Sequence, residues 1–450
     1  MSVSPSRLLA DPRLRIARFL IAAALAALVF ISSRAAVAAQ PEVRTPPEVR
    51  REPTQFIVVA VANPVTGRPA AVGGTAHGYG TGSNYRVSAT ASTQIREIAR
   101  QYSLTLVSEW PIEQLQMHCV LFRIPPGTTR EAMIEKLRAD KRVLIVQPLN
   151  EFDSATALPT GGASVVTPPS FDDPYAKLQA NVLALDVEEA HRLSRGAGIR
   201  VAIIDTGVDT THPDLAGRTT LTRNYIDDDG AEFRADRHGT QIAGLIAAAA
   251  NNGIGIVGVA PDVKLMAFKA CWQPNASSAG RCNSFTLAQA LADAIAQKAQ
   301  VINLSLVGPS DPLLEALVDK AITYGVVVVG AVSSDSRLRF PAGIPRVLAV
   351  GEAESGDTTG DILRAPSRDI VTLVPNGHYD FASGSSLATA QISGVVALLL
   401  AKEPKLGIDR LRALLEQSTE KHDTTRGPFL SVNACAALAQ VVHGASCARS

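Results

Sequence analysis

An excess of charge of either sign is missing from this chain. Its 450 residues carry 43 Lys and Arg against 42 Asp and Glu, a formal net charge of +1, and the two signs are interspersed. Composition therefore gives no electrostatic reason to expect a nucleic acid or an anionic membrane surface as partner. The uncharged run from Phe19 to Ile31 is too short to span a bilayer comfortably. It follows Arg13, Arg15 and Arg18 and precedes small residues around Ala36-Val37-Ala38. That is the layout of a secretory signal peptide over residues 1–39, with an uncleaved membrane anchor as the competing reading. Cysteine is scarce, with five in all. Cys271 and Cys282 flank a polar loop and Cys435 and Cys447 lie close together, so two local disulfides and an oxidising compartment, secreted or periplasmic, are expected, leaving Cys119 unpaired.

What is present is enough sequence for two folded units. Gln55 to about Phe152 reads as a small unit in the order β-α-β-β-α-β, a ferredoxin-like α+β arrangement, with a long Gly/Ala/Thr/Ser-rich loop over 63–92. Ser154 to Asp172 has no periodicity and reads as a flexible linker, so a linker is expected over 153–172. From Asp173 to Ser450 short apolar runs (Val201 to Ile204, Val263 to Phe268, Val301 to Leu306, Val326 to Val332, Val347 to Val350) alternate with helical segments. Such alternation predicts an α/β unit, a mostly parallel sheet with helices on both faces, whose reactive groups lie at the carboxyl ends of the strands.

Three short segments carry chemistry. An apolar strand ends in Asp205, His238-Gly239-Thr240 opens an Ala-rich helix, and Gly384-Ser385-Ser386 opens another. Each residue alone has an ordinary use: Asp as a turn former, His as a structural or exposed ring, Ser as a helix cap. An acid, an imidazole and a hydroxyl are also the parts of a nucleophilic hydrolase. The extended segments decide between these uses: Val201 to Asp209 (VAIIDTGVD) followed by His212-Pro213-Asp214-Leu215, the HGT segment with Asn251 to Pro261 (NNGIGIVGVAP), Val301 to Leu306 (VINLSL), and Gly384 to Gly394 (GSSLATAQISG). In order and spacing they resemble the subtilisin-like serine proteases over roughly Asp173 to Ala437.

The resemblance implies that Ser386 is the nucleophile, His238 the general base and acid, and Asp205 the carboxylate that orients His238. It implies an oxyanion hole made by the Ser386 N–H and a side-chain amide, but Ser334 stands where the family has Asn, beside Asp335. A hydroxyl donates from a shorter side chain, so turnover is expected to suffer. Gln241-Ile242, Ala390-Gln391 and Ser385 are further departures that carry no proton. Ser305, Leu306, Val307 and Gly308 would line the substrate strand, and Val307 and Ser333 replace glycines of the specificity pocket. Two added side chains there favour a small residue before the cut bond.

By the same resemblance Asp214 and Asn252, with main-chain carbonyls of the Ala250 to Ile256 loop, would hold a structural calcium, a hard cation suited to oxygen ligands. Turn capping is the equal alternative for both residues. No other cofactor is expected. The ferredoxin-like unit would be a propeptide that covers the cleft and is cut off near the linker, so the partners expected are a peptide or protein substrate and the chain's own prosegment. A monomer is expected. A catalytically weak relative that binds peptide or its prosegment without turnover is the competing reading, on the strength of Ser334. An α/β-hydrolase using Ser386, Asp409 and His422 or His443 fits less well, because Gly384 to Ala388 lacks the second glycine of a nucleophile elbow.

Overall fold

The computed structural model describes residues 44–64, 87–156, 170–227, 229–275, 278–335, 337, 339–355, 361–424 and 427–447. The expected signal segment, residues 65–86 of the long loop, 157–169 of the linker and Ser336 lie outside the described residues.

The first unit is built on β1 (Phe56–Ala62), β2 (Thr105–Ile112), β3 (Met117–Arg123) and β4 (Val143–Pro148), in the spatial order β2-β3-β1-β4. Both β2 and β4 reach further pairing through antiparallel neighbours, β3 and β1. Helices Ala89–Tyr102 and Arg130–Arg138 cross one face; each starts at a side-chain cap, Ser88 and Thr129, that accepts a backbone N–H of the first turn. Alternation along β1 divides its side chains between two cores: Ile57, Val59 and Val61 pack with the helices, whereas Phe56, Val58 and Ala60 turn the other way.

That other way is the second unit. After β5 (Glu151–Ser154), the chain builds β6 (Arg200–Asp205), β7 (Thr219–Asn224), β8 (Lys264–Lys269), β9 (Cys271–Trp272), β10 (Arg281–Asn283), β11 (Val301–Leu304), β12 (Leu306–Val307), β13 (Val327–Ala331), β14 (Leu348–Glu352) and β15 (Leu363–Ala365). Seven of these form one parallel sheet in the order β15-β14-β13-β11-β6-β8-β7. Apart from the polar edge strand β7, its strands are apolar on both faces because helices cover both, so residues alternate between two cores: Val201 and Ile203 to one, Ala202 and Ile204 to the other. On one side lies the helix Ser385–Lys402, sixteen of whose residues are buried. It is long and apolar enough to cross a membrane, yet 89% of it is enclosed by the protein, which identifies it as the central core helix.

On the other side lie helices Ser284–Ala296 and Pro312–Thr323, and the first unit's sheet packs on them in a single apolar cluster that includes Phe56, Trp110, Leu121, Phe285, Leu314 and Leu317. Trp110 meets Phe285 edge-on at 4.7 Å between ring centroids. Gln147 Oε1 accepts the Leu313 N–H at 3.1 Å, and Gln114 Nε2 donates to the Ala292 carbonyl at 2.9 Å. Cys119 is unpaired within this buried cluster, and burial raises its thiol above the usual range, so it packs as an apolar residue.

Two disulfides join Cys271 to Cys282 and Cys435 to Cys447, at sequence separations of 11 and 12. The first ties β9 to β10, strands that also pair directly. Closing a loop of this size is worth about 3 kcal/mol through the unfolded chain. Replacing Cys271 and Cys282 together by Ser is therefore expected to lower the urea midpoint of unfolding while the Cys435–Cys447 pair stays intact, as read by denaturation followed by fluorescence. An unchanged midpoint would contradict a stabilising role for this bridge.

Candidate active site

Asp205 is the last residue of β6, at the carboxyl edge of the parallel sheet. His238 sits in the first turn of the helix Arg237–Ala247. Ser386 is the second residue of the Ser385–Lys402 helix, so the partial positive charge of that helix end adds to the surroundings of its hydroxyl. The sheet edge and the Arg237–Ala247 helix bring together Asp205 and His238, 33 positions apart in sequence (238 − 205), and the helix that carries Ser386 packs against the helix that carries His238.

His238 Nδ1 lies 2.7 Å from Asp205 Oδ1. A carboxylate only accepts, so Nδ1 carries the proton and Nε2 is left as the base. The two segments are held together at main-chain level as well. Gly239 N–H donates to Thr206 Oγ1 at 3.1 Å, and a Cβ at Gly239 would come within 2.0 Å of the Gly207 carbonyl, so only glycine fits after the histidine.

A residue that the sequence reading passed over closes this arrangement from behind. Lys269 ends β8 directly beside Asp205 in the parallel register and is 1% exposed. Its ammonium donates to the Thr206 carbonyl at 2.7 Å, to the Glu232 carbonyl at 3.2 Å, and to Asp236, two residues before His238. Burial pushes the Asp236 carboxyl up, and the Lys269 charge pulls it back. Lys269 thus ties the peptide after the acid to the residue that precedes the imidazole helix. The signal for it in sequence was a lysine directly after the apolar run Leu265 to Phe268.

The cleft is filled by the chain itself. β5 inserts between β12 and β10 in a four-stranded sheet of order β12-β5-β10-β9. Leu306 and Val307 pair with Ser154 and Asp153, and Arg281, Cys282 and Asn283 pair with Asp153, Phe152 and Glu151. Ser154 exchanges hydrogen bonds with Gly280, N–H to carbonyl and N–H to Oγ, both at 2.8 Å. Ala155 N–H donates to the Ser305 carbonyl at 3.2 Å, and the Ala155 carbonyl accepts the Ser386 N–H at 3.1 Å. The start of the expected linker is therefore an ordered strand, because its polar side chains leave a backbone free to pair on both edges. Phe152, 1% exposed, stands against Gly308, where a Cβ would lie 2.0 Å from its Cδ1, and meets Phe340 edge-on at 5.3 Å.

Ser386 Oγ is hydrogen-bonded to Thr156 Oγ1 at 3.0 Å, and His238 Nε2 is buried with no hydrogen-bond partner. Asp205, His238 and Ser386 are 4%, 2% and 0% exposed, so with the N-terminal unit in place nothing else can reach them. Of the other expected residues, Val307 lies opposite Asp153 in the strand pairing. Ser333 Oγ is spent on Asp335 and the Arg337 carbonyl, and Asp335 also binds Arg339. Ser334 is exposed and makes no hydrogen bond to Ala155 or Ser386, so the described residues contain one oxyanion donor in contact with the carbonyl, the Ser386 N–H.

The expected calcium ligands are knit to one another. Asn252 Nδ2 donates to Asp214 Oδ1 at 3.0 Å, Ile256 N–H donates to Oδ2 at 2.9 Å, and Asn252 Oδ1 is taken by the Ile254 N–H. Gln179 is likewise occupied on both sides by Val257. An asparagine that turns its nitrogen to the carboxylate does not offer a cation its oxygen, so this donor set does not fit the ion as arranged, and no step below passes through it.

A profile of the subtilase family matches residues 196–433. The major intracellular serine protease of Bacillus subtilis (strain 168) is 36% identical over 229 residues, covering 46% of this chain and 70% of that protein. Subtilisin E of the same organism is 33% identical over 239 residues, covering 50% of this chain and 61% of its own length. The solved structure of fervidolysin from Fervidobacterium pennivorans superposes with a TM-score of 0.66 at 23% identity, covering 85% of this chain and 60% of that one, a likeness of fold. The chain belongs to the subtilase family. It is a serine endopeptidase that acts on peptides or proteins.

Replacing Lys269 by Met would leave Asp236 buried and uncompensated, a loss of about 3–5 kcal/mol. In the double variant K269M/D236L the buried charge is gone, and most of that stability is expected to return while turnover stays at least about tenfold down, because a misplaced imidazole is felt in kcat. Unfolding midpoints and kcat measured side by side check this; wild-type kcat in the double variant would reduce Lys269 to a purely structural residue.

Proposed function

We propose that the chain is an exported endopeptidase made as a precursor, with Ser386, His238 and Asp205 as its triad, and that its first substrate is the peptide bond between Ala155 and Thr156. The observation that carries this reading is the Ala155 carbonyl on the Ser386 N–H, at the end of a strand paired on both edges. Attack by Ser386 Oγ joins it to the Ala155 carbonyl carbon, and the bond to the Thr156 nitrogen breaks. The proton leaves Oγ for His238 Nε2 and passes to the departing Thr156 amine; water then hydrolyses the ester and restores Ser386. Asp205 holds the His238 tautomer and stabilises its charged form. For the step to begin, Ser386 Oγ must exchange its Thr156 partner for His238 Nε2.

Ala155 in the position before the cut bond supports a preference for small residues there, the preference expected from Val307 and Ser333. The two disulfides support export. The exposed Ser334 supports slow turnover, since loss of one oxyanion donor costs about 10²–10³ in kcat, a magnitude borrowed from subtilisin.

A serine-directed fluorophosphonate is expected to label the processed protein, and Ser386→Ala to abolish both labelling and peptide hydrolysis; hydrolysis that persists in that variant would sink the assignment. Ser334→Asn is expected to raise kcat on a small-residue peptide by up to about 10²-fold, checked by steady-state kinetics per active site, with no gain meaning that another donor already completes the hole.

A further inference from the structure

The segment ahead of the ferredoxin-like unit is not a passive leader. Residues 44–51 lie against the peptidase unit, beside the strand β7 at the sheet edge. The Arg44 guanidinium donates to the carbonyls of Asn224, at 2.8 Å, and Asp227. Thr45, 3% exposed, donates its hydroxyl to the Tyr225 carbonyl at 2.9 Å. A five-residue helix, Pro47–Arg51, opens with Pro at its first position, where a missing N–H costs nothing. It drives Val49, with no exposed surface, into the apolar cluster that holds Tyr225, Trp110 and Phe285. Arg50 stacks over the Trp272 ring at 5.8 Å.

These contacts sit apart from the cleft strand. Trp272 belongs to β9, which is separated from β5 by β10 in the cleft sheet, and the carbonyls of 224–227 follow β7 at the edge of the parallel sheet. One Arg44 nitrogen, Nη1, shared between two main-chain carbonyls, a buried hydroxyl on a third and a buried valine together make a built surface.

We propose that the peptidase unit carries a further docking surface for its own prosegment, beyond the cleft sheet and the two helices, formed by the carbonyls of Asn224, Tyr225 and Asp227 with Trp272 and occupied by the strap 44–51. This deepens the precursor reading and rests on it. Cutting at Ala155 frees one end of the prosegment, but β5 and the strap are parts of one folded unit. The sheet seated on helices Ser284–Ala296 and Pro312–Thr323 is a third attachment of the same unit, and when any one opens the others hold it close enough to rebind, so the strap retains the prosegment longer than the cleft strand and the sheet alone. The strap therefore lengthens the delay between cutting and the first access of an outside substrate.

The test uses the full chain, wild type, Arg44→Ala/Thr45→Ala and Val49→Asp, following cutting by mass spectrometry and activity on a chromogenic peptide. The expected result is a cutting rate that is unchanged within twofold and a lag before peptide hydrolysis shortened at least about tenfold. An unchanged lag in both variants overturns the proposal. Should Val49→Asp slow cutting by disturbing folding, the Arg44/Thr45 pair, which leaves the buried valine in place, decides. Absence of cutting in the wild type would count against the precursor reading and not against the strap. The strap is then judged in the Ser386→Ala chain by amide exchange of residues 151–154: a rise of at least about tenfold on Val49→Asp or the Arg44/Thr45 change supports it, and equal exchange overturns it.

Discussion

One hydrogen bond, from the Ser386 N–H to the Ala155 carbonyl, fixes the meaning of most of the structure. It exists only if β5 is paired in register with β12 and β10, which in turn needs the first unit seated on the helices Ser284–Ala296 and Pro312–Thr323. It also needs the Ser385–Lys402 helix to begin at the carboxyl edge of the parallel sheet, packed on the helix that carries His238. On the proposed reading, a peptide bond held this way is both the bond to be cut and the plug that keeps the cleft closed. Autoinhibition and self-cleavage would then be two consequences of the same geometry.

On the proposed reading, the strand β5 is a worked example of a substrate. Backbone pairing on both edges is indifferent to side chains and supplies affinity, while Phe152 against Gly308 and Phe340, and Ala155 at the reacting end, are where side chains are sensed. The weak point is the oxyanion hole. If the proposed assignment holds, with Ser334 exposed, stabilisation of the developing charge falls on one backbone N–H and the end of one helix, and a slow enzyme is the physical expectation.

The candidate site is legible in sequence as local patterns: an apolar strand ending in Asp205, and a glycine that must follow His238 for steric reasons. The alternation of strands and helices likewise exposed the parallel sheet, and the order of elements exposed the ferredoxin-like unit. What escaped depends on partners far away in the chain. Asp153 to Thr156 reads as linker because pairing by backbone leaves no mark on side chains. Val49 is one apolar residue in a polar stretch until the cluster around Phe285 gives it a place. The coupling of Lys269 to Asp236 is invisible until β8 lies beside β6. Asp214 and Asn252 lie where a calcium site was expected, but orientation of an amide is a property of the folded loop.

The most direct test of the account is the C-terminus of the N-terminal fragment released when the purified full-length chain is incubated, determined by intact mass for wild type and for Ser386→Ala. The account predicts a wild-type fragment ending at Ala155 and an uncut Ser386→Ala chain. A fragment ending elsewhere, or the same fragment from the variant, would contradict it.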